Sequence, residues 1–240
     1  MAASLFQNIL FLDIETVSQL ASFNELPEDW KPLWKRKAEL LLRNKEDETV
    51  ESIYGRAGIY AEFGKIVCIS CGVIQGHGDE KKLLLKSFSG HDERIILMEF
   101  VEMLKKWAVD NSKYLCAHNG KEFDFPYLCR RMIVHNIPIP ALLHLAGKKP
   151  WEVNHLDTME LWKFGDFKSY TALNLLAHTL GIATPKDDID GSMVGEVYWK
   201  EKDLARIAIY CQKDVLAVAQ VYLRMNGESL IKTENVEIKN

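Results

Sequence analysis

The sequence lacks long hydrophobic runs, and this absence predicts that no segment crosses a membrane. No stretch of its 240 residues approaches the about 18 consecutive apolar residues of a membrane helix. The N-terminus also lacks the basic region of a signal peptide. Glycine and proline are scarce, with 14 and 7 residues, which excludes collagen-like and Pro/Gly-rich disordered chains. An apolar fraction of 48% instead indicates a soluble globular protein.

An excess of basic residues is also missing. The 30 Lys and Arg residues against 34 Asp and Glu residues give a net charge of −4, which disfavours a protein that coats nucleic acid by bulk charge. An enzyme that holds a nucleic-acid end through metal ions and a local basic patch is compatible with this balance. The five cysteines are an odd number and make a poor disulfide framework, so the expected location is a reducing cytoplasm.

Hydrophobic patterns predict a single α/β domain spanning residues 1–240. The expected strands and helices are strands at 7–14, 65–74, 82–88 and 113–117, and helices at 92–107, 124–135 and 202–225. Charged residues and helix formers predict a helical insertion at 18–62, and 232–240 is expected to be a frayed tail. This order of elements indicates a β-sheet covered by α-helices.

Two acidic residues at the end of the first strand form the first candidate site. Asp13 and Glu15 lie at i and i+2 in FLDIET, so both side chains project from one face of the sheet. Two such carboxylates repel each other and resist burial. A divalent Mg²⁺ or Mn²⁺ ion would relieve both problems, because these ions prefer carboxylate oxygen. Taken alone, the pair is more typical of a solvent-facing strand end.

Two further carboxylates lie on later elements. Asp124 follows the fourth strand in HNGKEFDFPYL, where an Asp by itself is typical of a helix cap. Asp214 lies on the last helix, four residues after Tyr210, so the two side chains share a helix face. By itself such a pair is usually a surface hydrogen bond. The occurrence of all three motifs in one chain indicates a common site.

These motifs occur in the order found in a known group of enzymes. FLDIET, HNGKEFDFPYL and YCQKDV resemble the three motifs of the DEDDy-type 3′→5′ exonucleases in the ribonuclease H-like superfamily. Nearly the whole chain is similar to the predicted stand-alone exonucleases related to the proofreading domain of family-B DNA polymerases, including EFGKIVCISCG, LDTMELW and DDIDGSMV. The resemblance implies a ribonuclease H-like mixed β-sheet flanked by α-helices, with the insertion after the first strand.

The resemblance also implies roles for the motif residues. Asp13 would bridge two divalent metal ions, Mg²⁺ or Mn²⁺. Glu15 and Asp214 would complete the site of the metal that activates water, and Asp124 would hold the second metal. Tyr210 would orient the attacking water, since a phenol with a pKa of about 10 is a poor base at neutral pH. The expected substrate contacts are Ile14, Thr16, Asn119 and Phe123.

The expected activity is metal-dependent hydrolysis of phosphodiester bonds at single-stranded nucleic-acid 3′ ends. DNA is the favoured partner, because polymerase-type relatives act on DNA, and a role in DNA repair would follow from the resemblance alone. A ribonuclease D-like RNA 3′-end exonuclease would use the same carboxylates. The alternatives from other classes are a nucleic-acid end-binding module with little catalysis and a metal-stabilised structural domain. No membrane partner is expected, and the oligomeric state stays open.

Residues outside the motifs have two interpretations each. Trp30 and Trp34 lie four residues apart beside a basic helix face. They either stack on bases as part of a lid or clamp, or belong to a core or a dimer contact, which is the more common use of such a pair. Five basic residues either flank the cleft and contact phosphates or are solvated: Lys121, Arg130, Arg131, Lys163 and Lys168.

Overall fold

The computed structural model describes residues 5–43, 45, 47–110, 112–166, 168, 170–183 and 189–239, and these form a six-stranded mixed β-sheet. The strands are β1 (Ile9–Ser18), β2 (Gly64–Gln75), β3 (Lys82–Ser89), β4 (Tyr114–Ala117), β5 (Leu156–Asp157) and β6 (Val236–Lys239). Their order across the sheet is β5-β4-β1-β2-β3-β6. The β1–β2 and β2–β3 pairs are antiparallel, whereas β1–β4, β4–β5 and β3–β6 are parallel. The predicted α/β class is confirmed.

Helices lie on both faces of this sheet and in the insertion. The helices are α1 (Lys31–Leu41), α2 (Glu93–Trp107), α3 (Asp124–Val134), α4 (Thr158–Lys163), α5 (Leu173–Thr179), α6 (Val194–Glu196) and α7 (Leu204–Met225). α2 and α3 share one core with the sheet, and α7 shares a second core on the opposite face. Among the described residues, no helix is both long and apolar enough to span a lipid bilayer.

The alternation of side chains along β1 divides the strand between the two cores. Leu12 and Ile14 pack with α2 and α3, whereas Ile9 and Phe11 pack with α7. This arrangement follows from the two-residue period of a β-strand. The row that faces α7 continues beyond Phe11 with acidic residues, and this position in the fold creates the candidate site.

The insertion at 18–62 is helical and has a small core of its own. Trp34 is 0% exposed, and its indole N–H donates to the Val50 carbonyl at 3.0 Å. Trp30 is half-buried and packs edge-to-face on Phe63, with ring centroids 5.9 Å apart. Lys37 lies over the ring of Tyr60 within the same insertion. The base-stacking interpretation is wrong for Trp34, because its ring is fully buried and packs edge-to-face with Tyr54 and Phe63.

The end of the chain is not the frayed tail that the sequence predicted at 232–240. Residues Val236–Lys239 form β6, which pairs with β3 so that Val236 lies opposite Leu83. Lys82 and Glu237 add an ion pair at 2.9 Å across the two strands. The outer edge of β3 offers unpaired backbone groups, and the returning chain satisfies them. The prediction failed because a polar terminal segment carries no local sign of such a partner. Only Asn240 of this segment lies outside the described residues.

A buried ion pair joins α3 to α2 and to the end of the insertion. Arg131 is 3% exposed, and its Nε atom lies 2.9 Å from Glu93 Oε1. Its NH1 group donates to the Ala61 carbonyl at 2.8 Å. Glu93 also accepts from the Ile66 N–H at 2.7 Å and contacts His135 Nε2 at 2.7 Å. The interpretation of Arg131 as a phosphate contact at the cleft is therefore wrong.

Replacing Arg131 with Lys is expected to lower the free energy of unfolding by about 2 kcal/mol. Lysine keeps the positive charge but cannot reproduce the two-nitrogen contact with Glu93 and the bond to Ala61. Urea unfolding measures the difference. Arg130→Lys is the matched control, because Arg130 is the exposed neighbour and its variant should change stability by less than about 0.5 kcal/mol. Equal losses in the two variants would contradict the prediction.

Candidate active site

Four polar side chains converge on a cleft of about 980 Å³ between β1 and α7. Asp13 and Glu15 reach it from β1, and Tyr210 and Asp214 reach it from α7. The two β1 carboxylates occupy the row that faces α7, where Phe11 packs in the core one step earlier. The β1–β2 register shifts directly after Glu15, and such irregularities commonly redirect side chains beside active sites.

The α7 side of the site follows from helical periodicity. Ile207, Cys211 and Val215 form a fully buried stripe along the helix. Tyr210 and Asp214 each precede a member of this stripe, so they lie one turn apart at its border and face the cleft. The Tyr210 hydroxyl and the Asp214 carboxyl are hydrogen-bonded to each other.

The Cys211 thiol holds the Asp13 carboxylate in place. It lies 3.3 Å from Asp13 Oδ2 and 3.4 Å from the Asp13 carbonyl oxygen, and it donates to both. Burial and the charge of the neighbouring Glu15 raise the pKa of Asp13. One ligand atom each from Asp13, Glu15 and Cys211 lies within 4.8 Å of the others.

Asp124 lies at the start of α3, directly behind the cleft floor. It is 3% exposed, and its Oδ1 atom accepts from the Ile14 N–H at 3.2 Å. Asp124 is not among the described residues that line the cleft surface. Its charge nevertheless raises the pKa of both Asp13 and Glu15. All four sequence-predicted carboxylates are therefore within electrostatic reach of one another.

The pKa values of three acidic groups and of Tyr210 in this site are raised mainly by burial and secondarily by the neighbouring carboxylates. Burial is the largest contribution for Asp13, and the charges of Glu15 and Asp214 add to it. Burial also raises the pKa of Asp124 to about 7. Burial and the neighbouring carboxylates raise the pKa of Tyr210 far above its usual value, so its hydroxyl stays protonated at neutral pH. A bound cation would offset both the burial and the repulsion of these carboxylates.

The donor atoms of the site fit a hard divalent cation. Asp13, Glu15 and Asp214 present carboxylate oxygens, which Mg²⁺ and Mn²⁺ prefer. Cys211 is the soft donor in this group, and burial raises the pKa of its thiol well above the usual range. A neutral thiol that donates to Asp13 orients a carboxylate rather than acting as a thiolate ligand.

Three of the four predicted substrate-contact residues are among the described residues that line the cleft, and one is not. Ile14, Thr16 and Phe123 line the cleft. Asn119 is not among its described lining residues; it has a left-handed backbone with φ of 64°, and its N–H donates to Asp157 Oδ1 at 2.9 Å. None of the five basic residues predicted to flank the cleft is among its described lining residues.

The sequence analysis missed Asp157, which organises the loop before Asp124. The carboxylate of Asp157 is 2% exposed and accepts from four backbone N–H groups. Two of these belong to Asn119 and Lys121, and two belong to the first turn of α4. The D-x-x-E pattern from Asp157 to Glu160 is a helix-start signal that would have revealed the cap. The contact with the distant loop has no such local sign.

The sequence analysis also missed much of the cleft wall. One wall is the 3₁₀ segment Ser52–Ile59 of the insertion, which contributes most of its residues to the lining. Tyr170 and the turn at 191–195 also contribute to the lining of the cleft. The DDIDGSMV motif covers residues 187–194 and so overlaps this turn. Its first two residues, Asp187 and Asp188, lie outside the described residues.

Comparison with known proteins identifies the family. A model of predicted 3′-5′ exonucleases related to the exonuclease domain of PolB matches residues 59–235. The chain belongs to this family. A family B DNA polymerase from the hyperthermophilic archaeon Pyrobaculum calidifontis is similar in fold, with a TM-score of 0.51 and 16% sequence identity over 90% of this chain. The present chain covers 25% of that polymerase. None of the curated proteins matches the sequence.

Membership makes the chain a predicted 3′→5′ exonuclease, a hydrolase that acts on nucleic acid. Exonucleases of this kind generally depend on divalent metal ions, and the acidic cluster offers a place for them. The matched span includes Asp124, Tyr210 and Asp214 but begins after Asp13 and Glu15. The proximity of these two residues to the matched carboxylates is therefore an independent observation of the structure.

Proposed function

We propose that the protein removes nucleotides from single-stranded 3′ ends, with DNA as the favoured polymer. The supporting observation is the convergence of Asp13, Glu15, Asp124 and Asp214, whose burial and mutual repulsion leave an electrostatic need for cations. We further propose that residues 1–240 act as one exonuclease domain in the cytoplasm. The family membership supports the reaction class, and the open cleft supports a polymer end as substrate.

In this proposal the four carboxylates hold two divalent ions, Mg²⁺ or Mn²⁺. Asp13 would contact both ions, and this role is supported by the charges of Glu15, Asp214 and Asp124, which all act on its carboxylate. When bound, such a pair supplies a water of lowered pKa and neutralises charge on the leaving 3′ oxygen. Cys211 keeps the Asp13 carboxylate oriented by its S–H bond.

The remaining residues bind and orient. The protonated Tyr210 hydroxyl can donate to the attacking water while the burial that raises its pKa prevents it from acting as the base. Ile14, Thr16 and Phe123 form a partly apolar surface beside the carboxylates, where the terminal nucleotide would lie. Asp157 holds the Asn119 loop and so positions the start of α3.

Replacing Tyr210 with Phe is expected to lower kcat about ten- to a hundredfold while metal affinity changes little. The ring and its packing remain, but the hydroxyl that orients the water is lost, and small errors of position cost rates of this size. The measurement is kcat on a labelled single strand beside a calorimetric metal titration. A loss of metal affinity as large as the loss of kcat would show that Tyr210 acts on the carboxylates instead.

A matched degradation assay tests the proposed function. The substrates are 5′-labelled single-stranded DNA and RNA of one sequence, each incubated with Mg²⁺, Mn²⁺ or chelator. The expected result is a ladder that shortens from the 3′ end, depends on metal and is faster with DNA. Faster degradation of RNA would identify the ribonuclease D-like alternative, since the same carboxylates serve either polymer.

Two variants accompany this assay. Asp13→Ala should give no ladder, and Asp29→Ala, which removes an exposed carboxylate of the insertion, should behave as the unmodified protein. Strand binding without cleavage under every metal condition would favour the end-binding module. Unfolding on addition of chelator alone would favour the metal-stabilised structural domain.

A further inference from the structure

The wall of the cleft contains a single positive charge among its described lining residues. Five carboxylates line the same space: Asp13, Glu15, Asp47, Glu48 and Asp214. Arg56 is the lone lysine or arginine among the described lining residues. A polyanionic strand entering this cleft meets strong repulsion, which metal ions at the floor relieve only locally. Among the described lining residues, Arg56 therefore carries the positive charge that can attract the phosphates of the strand.

Arg56 is held in place by a contact that is easily exchanged. Its NH2 group lies 2.9 Å from Glu48 Oε1, and Glu48 also contacts Lys45 Nζ at 3.0 Å through its other oxygen. The Arg56 side chain is 48% exposed. Exposed ion pairs of this kind contribute only about 0–1 kcal/mol, so an incoming phosphate can replace the Glu48 carboxylate. Lys45 remains as a partner for Glu48 after the exchange.

The backbone that carries Arg56 is fixed against β1. A Cβ atom added at Gly58 would lie 2.9 Å from the carbonyl carbon of Val17, so the two backbones are in direct contact. The Gly58 carbonyl also accepts from the Tyr127 O–H at 2.7 Å. Val17 is two residues beyond Glu15 on the same strand. The segment Ser52–Ile59 therefore holds the backbone that carries Arg56 close to the acidic residues of β1.

We propose that Arg56 binds a phosphodiester group of the substrate strand and thereby holds the strand in the cleft. The guanidinium is planar and offers two parallel donors, a geometry that suits phosphate oxygens. Phosphate is common to every nucleotide, so this contact adds affinity without selecting a base. The inference rests on the proposed function, because it assigns a contact to the strand that the enzyme would degrade.

Binding of a labelled single-stranded oligonucleotide tests Arg56 without requiring hydrolysis. The dissociation constant is measured with chelator present and over a series of salt concentrations. Arg56→Ala is expected to raise the dissociation constant about tenfold. It should also reduce the magnitude of the log–log salt slope by about 0.7, the value for one lost phosphate contact on a single strand. With Mg²⁺, KM should rise while kcat at saturation stays unchanged.

Two further variants separate a phosphate contact from a structural role. Arg56→Lys should restore the salt slope, because it keeps the charge, while affinity recovers only in part. Glu48→Gln should lower the dissociation constant about threefold, because the competing carboxylate is weakened. Arg94→Ala, at an exposed position on α2, removes the same charge away from the cleft and should leave binding unchanged.

The outcomes distinguish this inference from the proposed function. Hydrolysis by the unmodified protein together with equal dissociation constants and salt slopes for Arg56→Ala and Arg94→Ala would overturn the role of Arg56 alone. Failure of the unmodified protein either to bind or to hydrolyse any strand would overturn both. If Arg56→Ala weakens binding and Arg56→Lys does not restore the salt slope of the unmodified protein, the contact does not depend on charge, and the proposal is contradicted.

Discussion

Asp13→Asn is expected to lower the rate of hydrolysis roughly a thousandfold and to stabilise the metal-free protein at the same time. The rate falls because, in the proposed mechanism, Asp13 is the ligand shared by both metal ions, and its loss removes several kcal/mol of transition-state stabilisation. Stability rises because burial and the charges of Glu15, Asp214 and Asp124 make an ionised Asp13 unfavourable. An asparagine keeps the shape and can still accept from Cys211. We expect a gain of about 1–2 kcal/mol at neutral pH in chelator.

Rate and unfolding free energy are measured on the same preparation. Asp29→Asn is the control, because it removes an exposed carboxylate and should change neither quantity. A variant that loses both activity and stability would indicate that Asp13 supports the fold. This result would favour the structural-domain alternative over an active site, since active sites characteristically sacrifice stability for function.

The metal-free protein is expected to become less stable as the pH rises from about 4 to about 8. In the unfolded chain these carboxyls ionise near pH 4. In the folded chain burial raises the pKa of Asp124 to about 7 and also raises the pKa of Asp13 and Glu15. The folded state therefore binds more protons than the unfolded state across this window, so the free energy of unfolding falls with pH. For Asp124 the shift of about three units corresponds to a loss of up to about 4 kcal/mol.

Urea unfolding at several pH values, with chelator or with Mg²⁺, checks this prediction. Chelator should give the falling profile, and saturating Mg²⁺ should restore stability above pH 7, because the cation binds the ionised carboxylates of the folded state. Asp124→Asn in chelator should give a flatter profile. A stability that rises with pH in the metal-free protein would show that these carboxylates are ordinary solvated groups.

Several features of the fold were readable from the sequence because their signals are local. The short apolar run before Asp13 predicts β1, and the helical periodicity around Tyr210 and Asp214 predicts α7. The same periods place Asp13 with Glu15 on one face of β1 and Tyr210 with Asp214 on one face of α7. The three motifs together indicate the exonuclease family, which the match to residues 59–235 confirms. The residues of the site itself remain a proposal, supported by their convergence in the structure.

Other features depend on contacts between distant segments, and the sequence carried no local sign of them. Arg131 lies in a basic pair beside Arg130, yet only Arg131 is turned inward, to Glu93 on another helix. The terminal segment becomes β6 because β3 has an open edge, not because of its own composition. Trp34 is a core residue because Tyr54 and Phe63, which lie about 20 to 30 residues later in the chain, pack against its ring.

The sequence by itself determined β1–β4, α2, α3, α7 and the set of carboxylates, because propensity, periodicity and motif spacing act within a few residues along the chain. Only the tertiary structure decided which charges face the cleft. Arg56 lies on the wall because Gly58 allows its backbone to rest on β1, while residues predicted to flank the cleft are outside its described lining. Such choices depend on packing between segments far apart in sequence, where the free energy of each side chain is set by neighbours that local patterns do not encode.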